Sequence, residues 1–452
     1  MWGEPSNISN TPQYSAHPAI VADEQGNIHV FWSENVGGES NNMPGNSILH
    51  TCWDGNVWSP PTDVLFVPTD PVAEFVAVHL DTDNRIHAVW TGMSNFYYSH
   101  ADAPDANSGH GWLSPVMVGE NSARSFWESD ITVDNTNVIH IIYATRGNAA
   151  GVYYTASQDD GLTWTISTRL SLPLDQLETG YSRVKIAVDD EQRLHAVWQT
   201  NQEEGFGQAV YYARSVNGGN TWSIPVQLAY RDPGDTFVEY PYLLSSGPST
   251  LDLIYADGSN RGRQQRISND SGETWSSPFS ILSEMEGING YIVPLVDSVG
   301  DKHLIVNMRN RNTQAVGIYY AHWTGKDWSP TVPVDVSSPA ASSAHYTAAT
   351  MRLGNEIHVI YNDIGEEEIW HLSGKIPNAS AMPPLPIATI VEEKPTVVSK
   401  QSLTQTVALE QPDPAFTDAA WTGSALFPTF LGIILVLLLT SSAYFVKKKR
   451  WS

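Results

Sequence analysis

The chain is short of cysteine, of basic residues and of any leader-like start. A single cysteine, Cys52, in 452 residues excludes a disulfide framework and leaves the redox compartment open. Lys and Arg number 24 against 49 Asp and Glu, a formal net charge of −25. A field of that sign repels phosphate backbones and anionic lipid, which excludes nucleic-acid binding and docking on an anionic membrane surface. It also opposes an anionic substrate unless a pocket supplies local positive charge. At the N-terminus, strand-like sequence follows Met1 at once, with neither a charged stretch nor an apolar run of signal type. The expectation is a chain truncated at its start; the alternative is a tail anchor with the bulk of the protein in the cytoplasm.

What the chain has in abundance is one phrase written seven times. Its strands read Ile28-His-Val-Phe-Trp32, Ile86-His-Ala-Val-Trp90, Ile139-His-Ile-Ile-Tyr143, Leu194-His-Ala-Val-Trp198, Leu251-Asp-Leu-Ile-Tyr255, Lys302-His-Leu-Ile-Val306 and Ile357-His-Val-Ile-Tyr361. Counted on the second residue, the spacings are 58, 53, 55, 57, 51 and 55. A period of this size in alternating β-branched and aromatic residues predicts an all-β, seven-bladed propeller of four-stranded blades over residues 1–376. In unit 1 the strands are expected at Pro18 to Asp23, Ile28 to Glu34, Ser47 to Trp53 and Trp58 to Val64. Each fourth strand carries Trp, usually followed by Pro: Trp58, Trp112, Trp164, Trp222, Trp275 and Trp328. Proline cannot donate to a ladder, so this strand lies at the outer edge. The seventh unit stops at Lys375 without one, and Trp2-Gly-Glu-Pro-Ser-Asn-Ile8 supplies it. The N-terminal strand is therefore predicted to close the ring.

Before the fourth strand lie Ser157-Gln-Asp-Asp-Gly-Leu-Thr-Trp164, Ser268-Asn-Asp-Ser-Gly-Glu-Thr-Trp275 and the near-copy Ser215-Val-Asn-Gly-Gly-Asn-Thr-Trp222. On these Ser-x-Asp-x-Gly-x-Thr-Trp stretches the chain resembles the sialidase-like (BNR, or Asp-box, repeat) β-propellers. The box reads as a folding device: Asp or Asn accepts from its own turn, Gly takes a positive φ, and Trp fills the gap between blades. The recurrent second-strand His reads likewise as packing, since a metal site needs convergence rather than repetition. Neither a metal nor a cofactor is expected.

Where the innermost strands begin, the repeat position holds unlike residues: His17, Phe75, Trp127-Glu128, Arg183, Glu239-Tyr240, Tyr291 and His345-Tyr346. A ring of unlike polar and aromatic groups suits a small-molecule pocket. Nearby loops carry Arg146, Arg261, Arg263, Arg309 and Arg311. The resemblance implies a carboxylate clamped by arginines, a Tyr nucleophile activated by Glu, and an Asp acid/base. Arg183 with Arg309, Arg311 or Arg261 would clamp, Tyr240 or Tyr291 would attack, and Glu128 or Glu239 would partner it. The chain departs from that pattern: the first unit reads Ser15-Ala-His-Pro18 where sialidases carry Arg-Ile-Pro, seven units replace six, and only Asp130 and Asp235 lie near the acid/base position. Of 16 Trp, Trp127 alone stands at an inner-strand start. The reading is recognition of a glycan or other surface ligand at the axial face, through His17, Trp127, Glu239, Arg309, Arg311, His345 and Tyr346. The rivals are a glycoside hydrolase using Arg183, Glu128, Tyr240 and Tyr291, and an assembly propeller whose channel is plugged by Phe75, Tyr240 and Tyr291.

Residues 377–424 are rich in Pro, Thr, Ser and Ala and read as a disordered stalk. Residues 425–446 form an uncharged run of 22, long enough for a membrane-spanning helix. Lys447-Lys-Lys-Arg450 then favours a cytoplasmic tail over 447–452. A monomeric, single-pass protein with an extracytoplasmic propeller is expected.

Overall fold

The computed structural model describes residues 2–385, apart from 38–44, 94, 121–127, 146, 176–177, 203–204, 232–236, 259–261, 288–290, 339–340, 342–343, 364, 366 and 377–378. The chain divides into compact units Met1–Ala388 and Thr389–Ser452, the second outside the described residues together with the run 425–446 and the tail 447–452. Among the described residues no helix is long and apolar enough to cross a membrane.

The first unit is a seven-bladed all-β propeller. Blade 1 pairs Ser15–Ala22, Ile28–Glu34, Ser47–Trp53 and Thr62–Leu65 in that order, and the pattern recurs around the ring. In blade 6 the innermost position is shared by Met285–Glu286 and Ile292–Val296, both paired with Lys302–Asn310. Blade 7 consists of Ala344–Arg352, Glu356–Asp363 and Glu368–Lys375 plus Ser6–Asn7 from the N-terminus, with Ser6 opposite His371 and Trp2 bridged to Gly374. The expected closure is therefore present. Each fourth strand begins four residues after the Trp expected to lie in it, at Thr62, Val116, Thr168, Val226, Phe279 and Val332; blade 1 shows why. Pro60 and Pro61 lack an N–H, and only an isolated bridge links Trp58 to Trp53.

One device is repeated between and within blades. The second-strand His87, His140, His195 and His303 each bond an Asp of the preceding turn through Nε2 (2.9–3.2 Å) and a third-strand Tyr through Nδ1 (2.7–2.9 Å). These imidazoles are buried and satisfied, which is what a buried polar group requires. In blade 5 the position is Asp252, and its charge is matched by Lys302 Nζ at 2.9 Å from blade 6. The Trp standing four residues before the outer strand of each blade reaches the blade before it: Trp164 on Tyr98, Trp222 on Tyr154, Trp275 on Tyr212, Trp112 on Phe31, Trp58 on His371, Trp2 on Tyr320, and Trp328 Nε1 donating to Gln265 at 2.7 Å. In the Ser-x-Asp turns, Asp159 and Asp270 each accept from the Thr four residues on, through backbone N–H and hydroxyl. Gly161, Gly219 and Gly272 take φ of 81°, 84° and 81° beneath Tyr98, Tyr154 and Tyr212.

Past Lys375 the chain stays on the ring. Ile376 N–H donates to Asn355, Met382 N–H to Leu353 and Leu385 N–H to Glu24, across the turns of blades 7 and 1. The first described residues of the expected stalk are thus hydrogen-bonded to the propeller.

Candidate functional site

Five innermost strands begin with the same irregularity. Pairing skips between Ala16 and Ala19, Glu74 and Ala77, Ser182 and Lys185, Glu239 and Tyr242, and His345 and Ala348. Each skip holds a non-glycine residue in the left-handed region: His17, Phe75, Arg183, Tyr240 and Tyr346, with φ of 52°, 51°, 53°, 54° and 40°. A bulge of this kind re-aims its side chain, here onto the axis, at a cost of about 1–3 kcal/mol each. Such strain persists only where surrounding contacts over-determine it.

Those contacts form an upper ring. His17 stacks on Phe75 at 3.8 Å and meets the edge of Tyr346 at 4.4 Å. Tyr291 lies 5.4 Å from both Tyr240 and Tyr346. Arg183 Nη1 donates to Glu128 Oε1 and, at 2.6 Å, to the Tyr291 hydroxyl, while Nη2 reaches the Tyr240 hydroxyl at 3.5 Å. The guanidinium also sits 4.6 Å over the Tyr240 ring. Burial opposes the Arg183 charge, but Glu128 and the tyrosine hydroxyls hold its pKa well above the ordinary value. Burial pushes the Tyr240, Tyr291 and Tyr346 hydroxyls upward, outweighing the pull of Arg183.

Two residues further along the same strands a lower ring follows. It includes Asp130, Lys185 and Tyr242, with Lys185 Nζ 3.3 Å from Asp130 Oδ1 and 5.8 Å over the Tyr242 ring. Asp130 Oδ2 also accepts from Ile186 N–H at 2.9 Å. Burial opposes the Lys185 charge, and Asp130 more than restores it. Together the two rings line an axial cavity of about 220 Å³. That is below the roughly 300–1,000 Å³ of sites enclosing drug-sized ligands.

Behind the ring, Glu74 and Glu239 are buried and accept from the N–H groups of Gly45 (2.8 Å) and Gly207 (3.2 Å) on the preceding blades. A Cβ at Gly207 would fall 2.1 Å from the Val238 carbonyl, so only glycine allows this approach. Burial pushes both carboxyls up, Glu74 to about 7.

The structure brings His17, Glu128, Arg183, Tyr240, Tyr291 and Tyr346 to one cavity. Glu239 is buried behind it. Arg309 and Arg311 are exposed and do not line it; Arg311 Nε is bonded to the Met285 carbonyl at 3.1 Å, on the hairpin beyond the ring. Arg263 is fully buried, donates to the Gly287 carbonyl at 2.9 Å, and is lowered by burial to about 10. Trp127, Arg146, Arg261 and Asp235 lie outside the described residues, as does the side chain of His345. Sequence reasoning missed Lys185 and Tyr242, although both stand two residues after ring positions. Among the described residues no group of three or more His, Cys, Asp or Glu is arranged to hold a metal ion.

No family model matches the chain, and no curated protein matches it. Solved structures do. A polysaccharide lyase, an ulvan lyase bound to -[GlcA(1-4)Rha3S]-, aligns with TM-score 0.57 and 10% identity over 82% of this chain and 96% of its own. The BP39L lectin from Burkholderia pseudomallei aligns with TM-score 0.56 and 13% identity over 82% and 99%. A protein of unknown function from Dyadobacter fermentans aligns with TM-score 0.51 and 13% identity over 83% and 99%. At these identities the likeness is one of fold.

Proposed function

We propose that this chain is a recognition propeller that takes a glycan at its axial ring without cleaving it. The observation that carries this is the engagement of Arg183: its donors are on Glu128, Tyr291 and Tyr240. A sialidase-type nucleophile needs a Tyr–Glu pair and a clamp of several arginines. Here Glu128 is bonded to arginine, Arg309 and Arg311 do not line the cavity, and the tyrosine hydroxyls are pushed away from ionisation. The ring's aromatic faces and hydroxyls suit a sugar, whose C–H face stacks and whose hydroxyls bond. The solved neighbours named as a lectin and a polysaccharide lyase point to the same class of ligand. The Ser-x-Asp turns support membership of the sialidase-like superfamily, the uncharged run 425–446 supports anchoring in a membrane, and Lys447-Lys-Lys-Arg450 after it supports a propeller outside the cytoplasm.

The close aromatic packing of the ring favours a second reading, a plugged axis in an assembly protein. One incubation addresses the catalytic question. The full chain is mixed with sialylated and neutral oligosaccharides and products are sought by mass. The expected result is none; a product that disappears in Arg183→Ala overturns the non-catalytic reading.

A further inference from the structure

We propose that the axial ring selects uncharged sugars and that Glu128 sets this selectivity. The inference rests on the glycan reading above and goes further by naming the class of sugar. Its basis is how charge is arranged around the cavity. Blade 3 supplies two acids, Glu128 and Asp130, and blade 4 two bases, Arg183 and Lys185, with the same two-residue spacing. Each base is bonded to the acid on its own level, Arg183 to Glu128 above and Lys185 to Asp130 below. The side chains of the upper pair are each 17% exposed, and those of the lower pair 35% for Lys185 and 15% for Asp130, so all four border the cavity.

Among the described lining residues, an entering carboxylate or sulfate therefore meets no surplus of positive charge. To reach Arg183 it must displace Glu128, leaving that carboxylate without its partner in a partly dry cavity, or sit beside it as a like charge. The net charge of −25 adds an adverse field at longer range. A neutral sugar meets neither obstacle. Its apolar face can lie on His17, Phe75 or Tyr346, and its hydroxyls can bond phenol oxygens already polarised by Arg183. Glu128 is thus a specificity-determining residue, because it cancels the cation that would otherwise recruit acidic sugars.

The test measures retention of the full chain on immobilised oligosaccharides presented in pairs, each neutral chain beside the same chain capped with sialic or glucuronic acid. The wild-type protein is expected to prefer the neutral member by about tenfold or more. Its retention should not change from low to high salt. Glu128→Gln, which frees Arg183, should shift the ratio toward the acidic member by a similar factor. Equal or stronger retention on the acidic members, or retention that falls with salt, overturns the selectivity and leaves glycan recognition standing. An unchanged ratio in a folded Glu128→Gln protein overturns the role of Glu128. Retention on neither member overturns glycan recognition itself. Should Glu128→Gln lose its cooperative melting transition, the wild-type ratio and salt series still decide the selectivity.

Discussion

Glu74 offers a prediction whose size can be worked from its surroundings. Its side chain is 8% exposed, accepts from Gly45 N–H at 2.8 Å and stands 3.9 Å from His17 Nδ1. Tyr14 is close enough for the Glu74 charge to help raise its hydroxyl. Burial raises the Glu74 carboxyl from its ordinary 4.5 to about 7, against the pull of the Gly45 N–H. Between those values the folded chain holds a proton that the unfolded chain has released. The Glu74 contribution to stability is therefore full below 4.5 and is lost as pH rises through about 7. A displacement of that size corresponds to about 3 kcal/mol. Glu74→Gln keeps a carbonyl acceptor for Gly45 and removes the titration. Denaturant unfolding of both proteins at pH 4.5, 6 and 8 should show the variant gaining about 3 kcal/mol on the wild type from the lowest pH to the highest. Parallel stability curves would refute the claim that this carboxyl titrates in the folded ring.

Three further perturbations test the frame that positions the site. Deleting residues 1–9 removes Trp2 from Tyr320, the buried Ile8, and the bonds from Gly3 to Ser373 and from Ile8 to Ile369. It should cost at least about 4 kcal/mol, and an unchanged Tm would contradict ring closure by this strand. Lys302→Met leaves the buried Asp252 without its counter-ion and should cost about 3–5 kcal/mol, most of it recovered when Asp252→Asn is added. Equal losses in the single and double variants, read by denaturant unfolding, would sink that account. Gly218 and Gly219 are adjacent, with φ of 65° and 84°, but only at Gly219 would a Cβ strike a neighbour, 1.9 Å from the Tyr154 hydroxyl oxygen. Gly219→Ala should cost at least about 3 kcal/mol and Gly218→Ala about 1 kcal/mol, and comparable melting temperatures would refute the packing argument.

Much of the frame is legible in the sequence because each blade repeats its chemistry in register. The second-strand phrase recurs at spacings of 51 to 58 residues, so counting it yields seven blades, and the recurrent Trp exposes the missing outer strand that Trp2 and its neighbours supply. The upper ring is legible for the opposite reason: the first inner-strand position is where the repeat stops repeating. Its left-handed residues are not legible, since His17, Phe75, Arg183, Tyr240 and Tyr346 carry no local signature of positive φ; the bulge is imposed by packing at the axis. Lys185 and Tyr242 escape notice because they read as ordinary strand residues until the bulge fixes which face they take. The arginines show the same limit. Sequence places Arg183, Arg309 and Arg311 near one end of the ring, yet only the bulged backbone carries Arg183 into the cavity, while Arg311 is held to Met285 on the hairpin beyond. Pairing of Arg183 with Glu128 depends on adjacent blades meeting at the axis, which a linear pattern does not encode.

The central claim, that a sugar is recognised at the axial ring, is tested most directly by hydroxyl-radical footprinting of the full chain with and without an oligosaccharide that it retains. The account predicts protection concentrated at Phe75, Tyr240, Tyr291 and Tyr346, with the outer Trp residues unchanged. Protection at the blade rims with an unaltered axial ring would contradict it.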